Sequence, residues 1–158
     1  MNGLLRCGLA IGLLLSVTAA SNPKEGERAP EFKVKLFDGS ERTLADYRGK
    51  VVVINYWATW CAPCKAEMPM MSQFHERNKH RGFEIIGVVT QDSVPAYKLK
   101  TVEKLLSYPL ASRLRGDYGT VDRAVPTTYI IDRQGIIRDV QTGSYDARSF
   151  RAAVEPLL

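Results

Sequence analysis

Residues 51–69 read VVVINYWATWCAPCKAEMP. The first seven, Val51 to Trp57, form a continuous apolar and β-branched run, the pattern of a strand covered on both faces. From Ala62 the pattern becomes helical, and it holds to about Lys79, with Gly82 as a stop. Pro69 falls inside that helix, where it removes a backbone donor and predicts a kink. Cys61 and Cys64 stand where strand gives way to helix. Two cysteines at that spacing can be a redox pair, half of a zinc site or an inert staple.

Outward from this stretch, strands and helices alternate, which points to an α/β domain. Residues 21–30 (SNPKEGERAP) are polar with two prolines and read as a linker. Phe32, Val34 and Leu36 alternate with polar neighbours, predicting a half-buried strand, and Asp38-Gly39 signals a hairpin turn. Residues 83–89 (FEIIGVV) read as a second buried strand. Residues 93–106 read as a helix with Ser93 as N-cap and Pro95 in the first turn. Its Lys98, Lys100 and Lys104 form a wet face opposite Val94, Tyr97, Val102 and Leu105. Residues 127–131 make a third strand, and Arg133-Gln134-Gly135 turns the chain into an antiparallel partner over 136–140. Asp146 caps a final helix that runs to Leu158, loosened at Pro156.

Residues 1–20 stand apart. A short start with Arg6, the apolar CGLAIGLLLSV and small residues around Ala19 and Ala20 have the layout of a secretory signal peptide or an uncleaved anchor. The run is shorter than the roughly 20 residues of a spanning helix. Cys7 precedes the apolar run instead of closing it, which argues against lipid attachment. Once the leader is set aside, Cys61 and Cys64 are the cysteines that remain, so no disulfide framework supports the fold. At 158 residues and 45% apolar the chain can build a core without one. Its net charge of +5 is spread along the sequence, and nothing marks a nucleic-acid stripe.

A zinc site would use Cys61, Cys64, His75 and His80. On one helix, however, Cys64 and His75 lie about 16 Å apart along the axis, so the four cannot converge. Both histidines then read as exposed residues of the helix's last turns. A staple between residues three apart closes a loop too small to restrict the unfolded chain much. Redox chemistry uses every local feature. The sulfur of Cys61 faces the unpaired N–H groups of the first turn, which stabilise a thiolate, the attacking species in disulfide exchange. Cys64 is one turn on, on the same face. Pro63 restrains the turn between them, and Trp60 shields one side while leaving Cys61 accessible. Glu67 lies one further turn along, either as proton acceptor for Cys64 or as a solvated helix charge.

The segment from Trp57 to Lys65 (WATWCAPCK) resembles the active-site segment of the thioredoxin superfamily. Pro69 sits where that family bends its long helix, and Val125-Pro126-Thr127 resembles its cis-proline loop, which faces the cysteines in space. Within the superfamily the chain is similar to the extracytoplasmic TlpA/ResA/DsbE-like branch, through Ala29-Pro30-Glu31-Phe32, Tyr47-Arg48-Gly49-Lys50, Asn55, Glu67-Met68-Pro69 and Ile131-Asp132. The resemblance implies a thioredoxin-like fold over 31–158: a central mixed sheet flanked by helices, with an N-terminal β-hairpin extension. It implies an extracytoplasmic, monomeric thiol-disulfide oxidoreductase without metal or cofactor. Cys61 is then the nucleophile, Cys64 the resolving thiol, and Glu67 the proton-handling group. Asn55 stands where cytosolic thioredoxins carry a buried acid. Trp60, Ala62, Pro63, Val125 and Pro126 would hold a disulfide-containing client, such as apocytochrome c or another envelope protein. A membrane thiol-disulfide transporter would re-reduce the pair.

The segment 118–126 is longer than the common form and carries Asp122 and Arg123 beside the substrate groove. Peroxiredoxins share the start at 29–32, but Ile54 and Ala58 occupy the positions of their essential proline and threonine, which argues against a peroxidase. The remaining rival is a binding protein with a non-catalytic or metal-loaded cysteine pair.

Overall fold

The computed structural model describes residues 22–92 and 94–158. The leader expected over 1–20, with Arg6 and Cys7, lies outside the described residues, and so does Ser93, the expected helix cap. A seven-stranded mixed sheet forms the centre. In chain order its strands are β1 (Lys33–Leu36), β2 (Glu41–Thr43), β3 (Val51–Trp57), β4 (Phe83–Val89), β5 (Leu110–Arg115), β6 (Thr127–Ile131) and β7 (Ile137–Thr142). Their order in space is β2-β1-β5-β4-β3-β6-β7. β3 and β5 run parallel to β4, and the remaining pairings are antiparallel.

β3 is buried along its whole length, and its period of two divides it between two cores. Val51, Val53 and Trp57 face a cluster that takes in Met68 and Met71 of α1 (Ala62–Asn78), Leu99 of α2 (Ala96–Glu103) and Phe150 and Val154 of α3 (Ala147–Val154). Val52, Ile54 and Tyr56 face the other cluster, covered by Ala29, Phe32 and Tyr118 from non-helical segments and by Tyr47 at the end of the 3-10 turn Leu44–Tyr47. Asn55, one residue on from Ile54, therefore points toward α1.

Gly82 closes the turn after α1 with φ 75°, in the left-handed region where glycine meets no penalty. α1 continues through Pro69 without interruption. α2 is shorter than its expected span of 93–106. Pro95 stands at its N-cap in an extended conformation, and a residue before proline disfavours the helical region. Tyr97 and Leu105, expected on its apolar face, are exposed, and Leu99 is the residue that enters the core. β5 has no counterpart in the sequence-based expectation. It joins the β1–β2 hairpin to the rest of the sheet, through Val34–Leu114 on one side and Gly87–Leu110 on the other. The second half of the segment read as a linker lies along β7: the N–H groups of Gly26 and Ala29 donate to the carbonyls of Ile137 and Gly135, each at 2.8 Å. Asp146 caps α3 as expected, and a short 3-10 turn at Pro156 follows it.

Candidate active site

The C-terminal ends of β3 and β4 and the start of β6 meet at one end of the central strands. There Cys61 is the N-cap of α1, and its sulfur accepts a hydrogen bond from the backbone N–H of Cys64 at 3.2 Å. Pro63 occupies the first turn, where a missing N–H costs nothing. Cys61 and Cys64 are joined as a disulfide with their Cα atoms 5.3 Å apart, so the site is in its oxidised form. Cys64 is fully buried. Cys61, expected to be accessible, is only 3% exposed. The Val125 carbonyl lies 3.5 Å from its sulfur and helps cover it. Ala62, Pro63 and Trp60 are the exposed surface around the pair. The Trp60 indole N–H donates to the Gln91 carbonyl at 2.9 Å, which fixes the ring while leaving it 60% exposed.

Glu67 is buried, not a solvated helix charge. It lies one turn past Cys64 on the inward face of α1, the face that also buries Met68, Met71 and His75. Its Oε1 accepts from Asn55 Nδ2 at 2.9 Å, and its Oε2 accepts from the backbone N–H of Tyr145 at 2.9 Å. Asn55 Nδ2 also donates to Thr128 Oγ1 at 3.0 Å. Burial pushes the Glu67 carboxyl up to about 6, against the lowering effect of the Tyr145 N–H and of Asn55. A carboxyl so placed exchanges a proton readily near neutral pH.

The Val125–Pro126 peptide is cis, and the Val125 carbonyl lies against Cys61. The Pro126 carbonyl accepts from the N–H of Gly143 at 2.9 Å. Behind it, the Thr127 hydroxyl donates to the Ala124 carbonyl at 2.8 Å and ties down the loop that carries Asp122 and Arg123. Gln91, Asp122 and Arg123 all adopt positive φ, at 51°, 51° and 58°. Gln91 Nε2 donates to the Arg123 carbonyl at 3.0 Å, so strained backbone from two loops meets at one rim of the site. The sequence drew attention to Asp122 and Arg123 but not to Gln91. Neither Tyr145 nor Gly143 was legible as a site residue, because each contributes a backbone N–H.

His75, expected on the surface, is 3% exposed. It is on the buried face of α1, with Nδ1 2.9 Å from Ser107 Oγ and Nε2 3.7 Å from Glu84 Oε2. His80 is exposed. Among the described residues no group of three or more His, Cys, Asp or Glu side chains is placed to hold a metal ion.

The AhpC/TSA family profile matches residues 26–140. The chain belongs to the AhpC/TSA family. The thioredoxin-like protein YneN of Bacillus subtilis (strain 168) is 33% identical to it over 130 residues, 77% of this chain and 73% of that protein. The thiol-disulfide oxidoreductase ResA of Bacillus thuringiensis subsp. konkukian is 33% identical over 146 residues, 87% of this chain and 83% of that protein. The crystal structure of a thiol:disulfide interchange protein of the thioredoxin family from Chlorobium tepidum TLS superposes with a TM-score of 0.68 at 25% identity. It covers 85% of this chain and 98% of that one. The fold is thus thioredoxin-like, as the resemblance implied, and the family member described here is a thiol-disulfide oxidoreductase of the ResA/DsbE type with Cys61 and Cys64 as its cysteine pair.

Proposed function

We propose that this protein is a dithiol reductant of protein disulfides that works outside the cytoplasm. The observation that carries the proposal is the cysteine pair at the start of α1 with a buried carboxyl one turn behind it. In the reduced form the Cys61 thiolate, held by the N–H groups of the first turn, attacks one sulfur of a client disulfide. The client S–S bond breaks, a Cys61–client mixed disulfide forms, and the other client sulfur leaves as a thiolate. Glu67 then takes the proton of the Cys64 thiol. The Cys64 thiolate attacks Cys61 Sγ and expels the second client thiolate. The client gains two electrons, and the enzyme ends as the Cys61–Cys64 disulfide.

The exposed ring of Trp60, the exposed Ala62 and Pro63, and the backbone of Val125 and Pro126 supply a surface on which a client chain lies against the sulfurs. The leader-like residues 1–20 support export to the periplasm or its equivalent, with or without retention as an anchor. Apocytochrome c or another envelope protein is the proposed client class, and a membrane thiol-disulfide transporter the proposed source of electrons. The protein is proposed to act as a monomer.

The test is insulin-disulfide reduction by the intact protein and two variants. Cys61→Ser is expected to abolish the reaction, and Cys64→Ser to accumulate mixed disulfides. Full activity in either variant refutes the assigned roles. Equilibration with glutathione then fixes direction: a reductant settles below about −200 mV, whereas a value near −120 mV would make the protein an oxidant.

A further inference from the structure

The loop between β7 and α3 touches both halves of the site. Gly143, with φ 93°, directs its N–H at the carbonyl of Pro126. Two residues later the N–H of Tyr145 reaches Glu67 Oε2. Tyr145 cannot swing freely. Its ring is buried 5.4 Å from that of Phe150, edge to face, and its hydroxyl donates to Asp139 Oδ2 on β7. The next residue, Asp146, caps α3 by accepting from the N–H groups of Arg148 and Ser149. The backbone amide on Glu67 is therefore placed by a side chain pinned on the far side of its own loop.

We propose that Tyr145, pegged through its hydroxyl to Asp139, is a positioning residue for the resolving step, holding its backbone N–H on Glu67 while the same loop holds the carbonyl of Pro126. This rests on Glu67 as the acceptor of the Cys64 proton. Apart from Asn55, the Tyr145 N–H is the donor that favours the charged carboxylate against burial. If the amide drifts away, burial prevails, the carboxyl holds its own proton to higher pH, and it stops accepting one from Cys64. Other groups around Glu67 do not obscure the effect. Cys64 shares its helix, while Asn55 on β3 and Thr128 on β6 carry no charge. Burial holds Tyr108, just before β5, and Tyr145 itself above the ordinary tyrosine range, so both stay neutral near pH 7. Asp139 lies beyond the Tyr145 hydroxyl.

The experiment follows oxidation of the pre-reduced protein by insulin from pH 5 to 9, in single turnover, with Tyr145→Phe, Asp139→Ala, Asp139→Asn and Glu67→Gln. Loss of the peg is expected to slow resolution at pH 7 by roughly two- to tenfold and to move the acid limb of the profile upward by about half a unit to one unit. Tyr145→Phe and Asp139→Ala should agree, and Asp139→Asn, which keeps an oxygen for the hydroxyl, should restore the profile. Alkylation of Cys61 by iodoacetamide should not change. Lower thermal stability with a superimposable pH profile would overturn the inference and leave Tyr145 a packing residue. If Tyr145→Phe does not fold, the Asp139 pair decides alone. If Glu67→Gln resolves as fast as the natural protein, the proton-acceptor role itself fails. If Glu67→Gln is slow while the peg variants are normal, only the positioning role fails.

Discussion

Asn55 Nδ2 lies 2.9 Å from Glu67 Oε1 across the interface of β3 and α1, with both side chains buried. An amide at position 55 leaves one carboxyl in this part of the core and stabilises its charged form, but not enough to offset burial. The carboxyl moves from 4.5 to about 6. Because the folded state holds this proton more tightly than the unfolded one, the contribution of Glu67 to stability is fully present below about pH 4.5 and is lost as pH rises through about 6. The change amounts to about 2 kcal/mol at about 1.4 kcal/mol per pH unit. Urea unfolding at pH 4 and pH 8 should show this loss in the natural protein and not in Glu67→Gln. The same pH dependence in both would mean that Glu67 is not buried as described.

Trp60 offers a second test. Its indole is 60% exposed beside the sulfurs and held by the Gln91 carbonyl. Exposed aromatic rings held in place are common anchors of protein contacts. Trp60→Ala should raise KM for insulin by about three- to tenfold, a contact of roughly 1 kcal/mol. The reaction with a small aromatic disulfide, which needs no such surface, should change by less than about twofold. Equal effects on both substrates would assign Trp60 to the chemistry or the fold rather than to docking.

Residues that act through their own type and spacing were legible in the sequence. The run at 51–57 is β3 to the residue, and Cys61 and Cys64 fall where the strand-to-helix change put them. Pro126 was found through resemblance and is cis in the structure. What the sequence hid depends on tertiary contacts. His75 looked like a surface residue because its neighbours are polar, yet it is on the same helical face as Met68 and Met71 and is buried with them. β5 (LASRLR) carries two arginines in six residues, and its outer half, paired with β1, alternates between half-buried and exposed side chains, so its apolar signal is weak. The amides of Gly143 and Tyr145 belong to the backbone, which no residue type announces.

His75 leads to a third prediction. Ser107 Oγ sits 2.9 Å from His75 Nδ1 and donates to the Ser72 carbonyl at 2.7 Å, while the Ser107 N–H donates to Ser72 Oγ at 2.8 Å. Ser107 Oγ is therefore the hydrogen-bond partner of the buried His75 Nδ1. Ser107→Ala would leave a buried ring nitrogen without a hydrogen-bond partner, which costs about 1–3 kcal/mol. Urea unfolding should show that loss, with the rate of insulin reduction at saturating substrate intact because none of these groups touches the sulfurs. A loss below about 0.5 kcal/mol would show that water reaches the ring.

Gly87 tests the packing behind the site. It pairs in register with Asn55, and its N–H donates to the Pro109 carbonyl at 3.1 Å. A Cβ there would lie 2.6 Å from Leu110 Cδ2, 3.3 Å from Tyr108 Cε2 and 3.5 Å from Trp57 Nε1. Leu110, Tyr108 and Trp57 are all buried and have little room to retreat. Backbone entropy alone would make alanine the better strand residue by roughly 0.5–1 kcal/mol. The contact with Leu110 should outweigh that gain, so Gly87→Ala is expected to destabilise by about 1–3 kcal/mol. Leu110→Val shortens the obstructing side chain, and in the double variant it should recover part of the loss although it is destabilising alone. A double-mutant cycle in urea measures this coupling directly. Strictly additive losses, or a stabilising Gly87→Ala, would show that β4 and β5 yield to a methyl group at this position.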